Sequence, residues 1–250
     1  MFESHFGLRT APFRLSPDPS FYFESRGHGR ALAYLKYGVY QREGFIVVTG
    51  EIGSGKTTLV RTLLESLDPA QVAAAQVTNT QLEADDLLEA ICAAYGVQVA
   101  PGSSKARTLA SLEAFLVALA ARKKRALLVI DEAQNFGARA IEELRMLSNF
   151  QLGSHALLQS FLVGQPELRE MLRSPGMEQL RQRVIASCHL GPLAPPETRA
   201  YVEHRLRCAG WTDSPTIEDP AFDEIHRHSG GIPRRPFRPR GGAPRQPCDD

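Results

Sequence analysis

A glycine-framed loop follows a short apolar run, and its residue types suit the binding of phosphate groups. Residues 45–49 read FIVVT, and the stretch GEIGSGKTTLV follows at once. In it, Gly50, Gly55, Lys56 and Thr57 have the spacing of a phosphate-binding loop. Glycines let backbone N–H groups turn inward around phosphate oxygens, and the N-terminus of the following helix adds a positive dipole end. We therefore expect a nucleoside triphosphate to bind here, with Lys56 on its phosphates and Thr57 on Mg²⁺.

An acidic pair supplies the second part of this chemistry. The stretch ALLVIDEAQ predicts a buried strand that ends at Asp131 and Glu132. Asp131 is placed to hold Mg²⁺ directly or through water, and Glu132 is placed to polarise an attacking water. The alternative is a strand that simply ends in a solvated acidic turn. The predicted nucleotide contacts of the loop are Gly50, Glu51, Ile52, Gly53, Ser54, Gly55, Lys56, Thr57 and Thr58.

Strands and helices alternate along most of the chain, which favours an α/β fold with a parallel sheet covered on both faces. The predicted strands are FIVVTG, VAAAQV, ALLVIDE, ALLQSFLVG and RVIASCHL. One predicted helix, at residues 27–42, precedes the first strand, and the others cover residues 56–67, 83–96, 106–124 and 138–150. Two further helical stretches, ETRAYVEHRLRCAG and DPAFDEIHRHSGG, follow the last strand and predict a small helical subdomain from about residue 195.

Bulk properties exclude several classes of protein. The formal net charge is +1, so no global field favours nucleic acid or an anionic membrane surface. No apolar run approaches the roughly 20 residues that span a bilayer, and the first residues do not resemble a signal peptide. The four cysteines are far apart, which is typical of reduced thiols. We expect a cytoplasmic protein that reaches the inner membrane, if at all, through a partner.

Seven motifs follow one another along the chain. They are FGLRTAPFRLSPDPSFYF, GFIVVTGEIGSGKTTL, LLVIDEAQN, ELRMLSNFQ, LVGQPELR, LRQRVIASCHLGPL and GGIPRR. This series resembles the AAA+ ATPases, more narrowly the ExeA/GspA secretion ATPases, and within them those associated with exosortase (PEP-CTERM) systems. The resemblance covers roughly residues 1–235. This family implies ATP and Mg²⁺ as ligands, a homo-oligomeric ring and a membrane-associated partner in secretion or polysaccharide export.

The same resemblance implies a P-loop NTPase core of the AAA+ type, with a five-stranded parallel sheet of order 5-1-4-3-2 followed by a small, truncated helical lid. The expected segments are an N-terminal arm over the nucleotide at 1–25, the core at 26–194, a partial lid at 195–235 and an irregular tail at 236–250. The tail PFRPRGGAPRQPCDD replaces the last lid helix of the family and reads like a frameshift or truncation. We expect this departure to weaken hydrolysis or assembly rather than binding.

Further roles follow from the resemblance alone. Gln165 matches the sensor-1 position, and Arg183, or else Arg181, matches the arginine finger that reaches a neighbouring subunit's nucleotide. Arg234 matches the sensor-2 arginine. Pro12, Phe13, Pro19 and Phe21 are candidates for apolar walls around the adenine, the alternative being that these residues only anchor the arm or the core. We expect His28, near the start of the first helix, to be structural.

Three functions remain open from the sequence. The first is an Mg²⁺-dependent ATPase that energises or regulates an export system. The second is an ATP-dependent switch with low turnover that recruits a membrane protein. The third, which the sequence favours least, is a DNA-linked ATPase like those that assist transposition, because no basic stripe or helix-turn-helix pattern is evident.

Overall fold

The computed structural model describes residues 6–14, 18–78 and 84–234. The chain divides into two compact units. The larger unit is Glu24–Gly191, and the smaller one combines Met1–Phe23 with Pro192–Asp250. The predicted tail at 236–250 lies outside the described residues.

The larger unit contains a five-stranded parallel sheet. In chain order its strands and those of a small hairpin are β1 (Phe45–Gly50), β2 (Val72–Val77), β3 (Arg125–Ile130), β4 (Gln151–Leu152), β5 (His155–Ala156), β6 (Leu158–Gly164) and β7 (Val184–Leu190). The sheet order is β2-β3-β6-β1-β7, and every neighbouring pair is parallel. Counted among the sheet strands only and from the β7 edge, this is the expected 5-1-4-3-2. The detail that differs is the antiparallel β4–β5 hairpin, which the sequence did not predict.

Burial explains which strands are central. Every residue of β1 and β6 is buried, as expected for strands that helices cover on both faces. In β7 only Leu190 is buried, and partly buried residues alternate with exposed ones, as is typical of an edge strand. The continuous apolar stretch at 45–48 is therefore what places β1, and the loop that follows it, in the middle of the sheet.

Seven α-helices accompany this sheet in the described part of the larger unit. They are α1 (Arg26–Gln41), α2 (Lys56–Glu65), α3 (Ala84–Tyr95), α4 (Lys105–Ala121), α5 (Ala138–Leu147), α6 (Pro166–Arg173) and α7 (Glu178–Arg181). Leucine and isoleucine side chains of α3, α4 and α5 join the core formed by β1, β3 and β6. This packing fixes the strand ends from which the functional side chains extend.

The smaller unit has its own apolar core. A 3₁₀ helix at Pro19–Phe21 precedes α8 (Pro195–Cys208) and α9 (Asp219–Ser229). The core is formed by Val202, Leu206, Trp211 and Phe222, with Phe13 of the arm packed against it. Arg205 on α8 holds the arm in place, because its guanidinium donates to the Pro12 carbonyl (2.6 Å) and the Phe21 carbonyl (3.3 Å). The arm and the two C-terminal helices thus pack as one structure.

Candidate nucleotide site

The candidate site lies where three adjacent strands of the sheet end. Because β3, β6 and β1 are parallel neighbours, their carboxyl ends meet at one edge of the sheet. Residues 51–55 follow β1, Asp131 and Glu132 follow β3, and Gln165 follows β6. The fold therefore brings together motifs that are more than a hundred residues apart in the sequence.

The loop after β1 has the backbone that its glycines allow. Gly55 is the N-cap of α2 and has φ +97°, in the left-handed region that other residues rarely adopt. Gly50 is confined instead by packing, because a Cβ there would lie 2.7 Å from both the Leu190 carbonyl and Ser54 Oγ. That Ser54 hydroxyl is buried, with no hydrogen-bond partner in the described part of the chain. The loop therefore presents the N-terminus of α2 and an unpaired hydroxyl, both of which can donate hydrogen bonds to an anionic ligand.

Lys56 is almost completely buried at the start of α2. Its side chain is 5% exposed, and its Nζ donates to the carbonyls of Gly50 (2.7 Å) and Glu51 (3.1 Å). Burial lowers the pKa of this ammonium, and the carboxylates of Glu132 and Asp131 partly oppose that shift. A buried ammonium whose hydrogen bonds go to neutral carbonyls is well suited to donate to a phosphate oxygen.

Thr57 and Asp131 place two oxygens next to each other. Thr57 Oγ1 donates to Asp131 Oδ2 over 3.2 Å, and the other carboxylate oxygen of Asp131 accepts from the Glu132 backbone N–H (3.0 Å). Burial raises the pKa of Asp131, which is 7% exposed. A hydroxyl and a buried carboxylate are oxygen ligands of the type that Mg²⁺ binds, and a cation would offset the unfavourable burial of the charge.

Glu132 is held by two glutamine amides. Its Oε2 accepts from Gln134 Nε2 at 2.7 Å and from Gln165 Nε2 at 3.1 Å. Burial raises the pKa of Glu132, but the amide donors of Gln134 and Gln165, together with the Lys56 ammonium, outweigh burial and hold the pKa below its ordinary value. Glu132 therefore remains a carboxylate, able to accept a proton, beside the Lys56 ammonium.

Gln134 is a site residue that the sequence analysis missed. Besides its bond to Glu132, its Oε1 accepts from the backbone N–H of Gln165 at 2.9 Å. The space for this amide depends on Gly164, where a Cβ would lie 2.6 Å from Gln134 Oε1. The position of Gln134, two residues after Glu132, was the only available signal, and it does not reveal a contact with β6.

The remaining predicted loop residues lie at its surface. Glu51 and Ile52 are exposed, Ile52 by 58%. Gly53 has φ +85°, and Thr58 lies partly buried in the first turn of α2. On the inner side of the loop, the buried His28 ring contacts the Ser54 carbonyl, with Nε2 and the oxygen 3.0 Å apart.

The two candidate finger arginines differ in their surroundings. Arg183 precedes β7, and its guanidinium donates to Ser148 Oγ and Asn149 Oδ1 at the end of α5. Arg181 donates to the carbonyls of Leu172 and Arg173 at 3.3 Å each. Among the described residues, neither guanidinium is hydrogen-bonded to the acidic pair, and a role on a nucleotide of another subunit stays a prediction.

The predicted arm and lid residues belong to the smaller unit. Pro12 is buried and Phe13 half-buried, and Phe13 packs against the core of α8 and α9. Arg234 is exposed in the turn after α9. The anchoring alternative for Phe13 therefore has direct contacts in its favour, whereas contacts of these three residues with a nucleotide stay predictions.

The order of the strands defines a P-loop NTPase fold. The phosphate loop, the acidic pair and the Gln165 amide lie together at one edge of its sheet. The model of the AAA domain family matches residues 39–172, which is more than half of the chain. The chain belongs to the AAA domain family.

Known relatives and solved structures agree with this assignment. The chain is 41% identical over 234 residues to "General secretion pathway protein A" of Aeromonas hydrophila, and the match covers 94% of this chain and 42% of that protein. It resembles the ADP form of the Aeropyrum pernix ORC2 protein with a TM-score of 0.66 and 20% identity, over 87% of this chain and 64% of that one. The Drosophila ORC bound to DNA gives a TM-score of 0.65 at 18% identity, over 90% of this chain and 56% of that one.

These matches have two limits that matter for function. The chain spans less than half the length of its secretion-pathway relative and less than two thirds of the solved ORC2 chain. The likeness to the ORC structures, at this identity, concerns the fold. Within the described residues, none of the helices has the length and apolar character that crossing a bilayer requires.

Proposed function

We propose that this chain binds ATP together with Mg²⁺ and hydrolyses the bond between the β- and γ-phosphates. The observation that carries the proposal is that Lys56, after β1, and Asp131 and Glu132, after β3, lie at the carboxyl ends of the two strands that flank β6. The Lys56 Nζ is held there by loop carbonyls rather than by a carboxylate. Such an ammonium can transfer its hydrogen bonds to phosphate oxygens without breaking a salt bridge.

Binding of the triphosphate would use the loop and the first turn of α2. The backbone N–H groups of the loop and the Ser54 hydroxyl would donate to phosphate oxygens, and Lys56 would bridge the β- and γ-phosphates. Mg²⁺, held by Thr57 and by Asp131 directly or through water, would neutralise charge on those phosphates. The existing contact between Thr57 and Asp131 supports this, because the two oxygens already lie within 3.2 Å.

Hydrolysis would use Glu132 as the general base. Glu132 would take a proton from a water whose oxygen attacks the γ-phosphorus, while the bond to the β–γ bridging oxygen breaks and ADP leaves with its electron pair. The lowered pKa of Glu132 supports this role at neutral pH, since the base must be unprotonated. Gln165, whose amide contacts the same carboxylate oxygen, would orient the water and respond to the γ-phosphate.

Assembly into a homo-oligomeric ring would complete the site. In that assembly Arg183, or alternatively Arg181, would contact the nucleotide of the neighbouring subunit and stabilise developing charge. Arg183 would first have to exchange its present bonds to Ser148 and Asn149 for a phosphate. Arg234 would close the lid over the nucleotide, and Pro12 and Phe13 would contribute to the adenine surroundings.

The cellular role follows from the relative rather than from the site. Similarity to a general secretion pathway protein supports a role in secretion at the cytoplasmic side of the inner membrane, through a membrane-associated partner. Within that role we propose an exosortase-linked or polysaccharide-export system. Nucleic acid is not part of this proposal, because the ORC likeness concerns the fold alone.

A low-turnover switch is the second candidate, and one observation favours it. The Glu132 carboxylate is engaged by two amides, so a water must compete with Gln134 and Gln165 for it. In that case ATP binding, rather than hydrolysis, would recruit the partner.

Phosphate release from ATP, with and without Mg²⁺, tests the proposal when the chain is compared with Lys56→Ala and Glu132→Gln. We expect Lys56→Ala to lose binding, and Glu132→Gln to bind ATP but lose turnover. Oligomer size is recorded in the same samples. Equal turnover in the chain and in Glu132→Gln would exclude the ATPase, and ATP binding without turnover in the unmodified chain would favour the switch.

A further inference from the structure

His28 connects the first helix to the phosphate loop. The ring belongs to α1 and is 6% exposed. Its Nε2 lies 3.0 Å from the carbonyl oxygen of Ser54, and its Nδ1 lies 2.7 Å from Ser25 Oγ. Both ring nitrogens therefore have polar partners, although the residue lies in a helix that none of the motifs includes.

The chemistry of the partners decides where the ring carries its proton. A carbonyl oxygen can only accept, so Nε2 must be the donor towards Ser54. The Ser25 hydroxyl accepts from the backbone N–H of His28 (3.2 Å) and can donate its own hydrogen to Nδ1. A neutral ring protonated at Nε2 satisfies every one of these contacts, whereas a neutral ring protonated at Nδ1 would set two lone pairs against each other at Ser54.

The Ser54–Gly55 peptide is the part of the loop that this bond holds. In a trans peptide the C=O of Ser54 and the N–H of Gly55 point in opposite directions. A carbonyl directed at His28 therefore directs the Gly55 N–H to the other side. Glycine at φ +97° allows this peptide to rotate into other conformations, including ones that turn the carbonyl towards an approaching anion.

Packing at Gly55 supports a specific contact rather than a chance one. A Cβ at Gly55 would lie 2.7 Å from His28 Nε2, so the ring occupies the space that a larger residue would need. The loop and the ring are thus fitted to each other. Removing the donor would leave the buried Ser54 carbonyl without its partner, which favours rotation of the peptide.

We infer that His28 is a positioning residue of the phosphate loop, which holds the Ser54–Gly55 peptide so that its N–H, not its carbonyl, is available to a phosphate. This inference rests on the proposed function, since it requires that the loop binds a nucleotide. His28 acts through the loop and contacts no phosphate itself. Removing the His28 side chain should therefore weaken ATP binding, because the free loop loses its support. It should slow turnover less, because bound ATP has already ordered the loop.

The experiment compares three substitutions by their dissociation constants for ATP with Mg²⁺, and by kcat and KM. His28→Leu removes the donor. His28→Gln restores one, because the glutamine amide nitrogen is the same number of bonds from Cα as Nε2, whereas the amide of His28→Asn is one bond too short. We expect His28→Leu and His28→Asn to raise the dissociation constant by roughly tenfold, or about 1.4 kcal/mol. We expect His28→Gln to stay within about threefold of the unmodified chain, and kcat to change by less than about twofold in all three.

Different failures are distinguishable. If the unmodified chain does not bind ATP, or binds as weakly as Lys56→Ala, the proposed function fails. If it binds ATP and folded His28→Leu binds equally well, or His28→Gln is as weak as His28→Asn, the inference about His28 is wrong. The unmodified chain offers a measurement that needs no variant, since ¹⁵N chemical shifts report the ring tautomer. A neutral His28 protonated at Nδ1 would overturn the inference, and protonation at Nε2 would support it.

Discussion

Replacing Gln134 by leucine tests how Glu132, the carboxylate that we propose as the general base, is held. The amide of Gln134 makes a 2.7 Å bond to the charged Glu132 and accepts a 2.9 Å bond from the Gln165 backbone. A hydrogen bond to a charged group contributes about 1.5–3 kcal/mol. We take the lower end, because Glu132 is only half-buried and keeps its 3.1 Å bond from Gln165. If that free energy serves to orient the base, Gln134→Leu should lower kcat by roughly tenfold.

The pH dependence of the same variant gives a second, independent sign. Burial raises the pKa of Glu132, and the amide donors of Gln134 and Gln165, with the Lys56 ammonium, bring it below its ordinary value. Removing one donor raises the pKa, so Glu132 takes up a proton at a higher pH. The acidic limb of the kcat profile should therefore move to higher pH, while the dissociation constant of ATP at neutral pH should not change.

Steady-state phosphate release between about pH 5 and 8 measures both effects. The matched control is Gln98→Leu, since Gln98 is exposed in the loop after α3 and lies far from the acidic pair in the sequence. Faster turnover in Gln134→Leu would refute the reasoning, because it would mean that the amides restrain Glu132 in an inactive position. A shift of the acidic limb to lower pH would also contradict it.

Three further predictions concern the metal site, the subunit contact and the arm. Asp131→Asn should abolish the stimulation of ATP binding by Mg²⁺ without lowering the melting temperature of the nucleotide-free chain, because burial raises the pKa of Asp131 and its charge is therefore unfavourable there. A fall of several degrees would contradict this. Arg183→Ala should lower turnover at high protein concentration by at least roughly tenfold. The turnover of Arg181→Ala should stay closer to that of the unmodified chain. If Arg181→Ala is the slower variant, the arginine finger is Arg181. Arg205→Leu should expose the arm to limited proteolysis. The variant loses the hydrogen bonds to two carbonyls, which contribute about 1–3 kcal/mol, and the contact with the Phe21 ring (4.6 Å). Arg205→Lys should recover only part of the protection from proteolysis.

Local sequence was sufficient for the phosphate loop and for the order of strands and helices. The apolar run FIVVT, the glycines and Lys56 act within a dozen residues, so their structure depends on short-range geometry and on burial of β1. The hairpin of β4 and β5 was missed for the opposite reason. Its strands have two residues each and are mostly exposed, so they are too short to show an alternation of hydrophobic and polar residues.

The arm illustrates a different limit of sequence analysis. An aromatic segment rich in proline can pack on a ligand or on the protein itself, and the residue types are the same in both cases. Phe13 packs against the core of α8 and α9, and Arg205 binds the arm through backbone carbonyls, which have no signature in the sequence. These contacts join segments almost two hundred residues apart and support anchoring of the arm, while a contact with the adenine stays a prediction.

Sequence analysis did not predict the roles of the side chains that hold the proposed catalytic groups, and the reason is physical. Lys56, Thr57, Asp131 and Glu132 have types that the chemistry demands, so the motif identifies them. Gln134 and His28 matter because of the groups they contact, which are the backbone N–H of Gln165 just after β6 and the carbonyl of Ser54 in the loop. At both places a glycine makes the approach possible, since a Cβ at Gly164 or Gly55 would lie 2.6–2.7 Å from the partner. A glycine beside a motif can therefore mark the place where a supporting side chain packs, as well as a bend in the backbone. Substituting Gly164 by alanine should reproduce the loss in turnover of Gln134→Leu while leaving the phosphate loop intact.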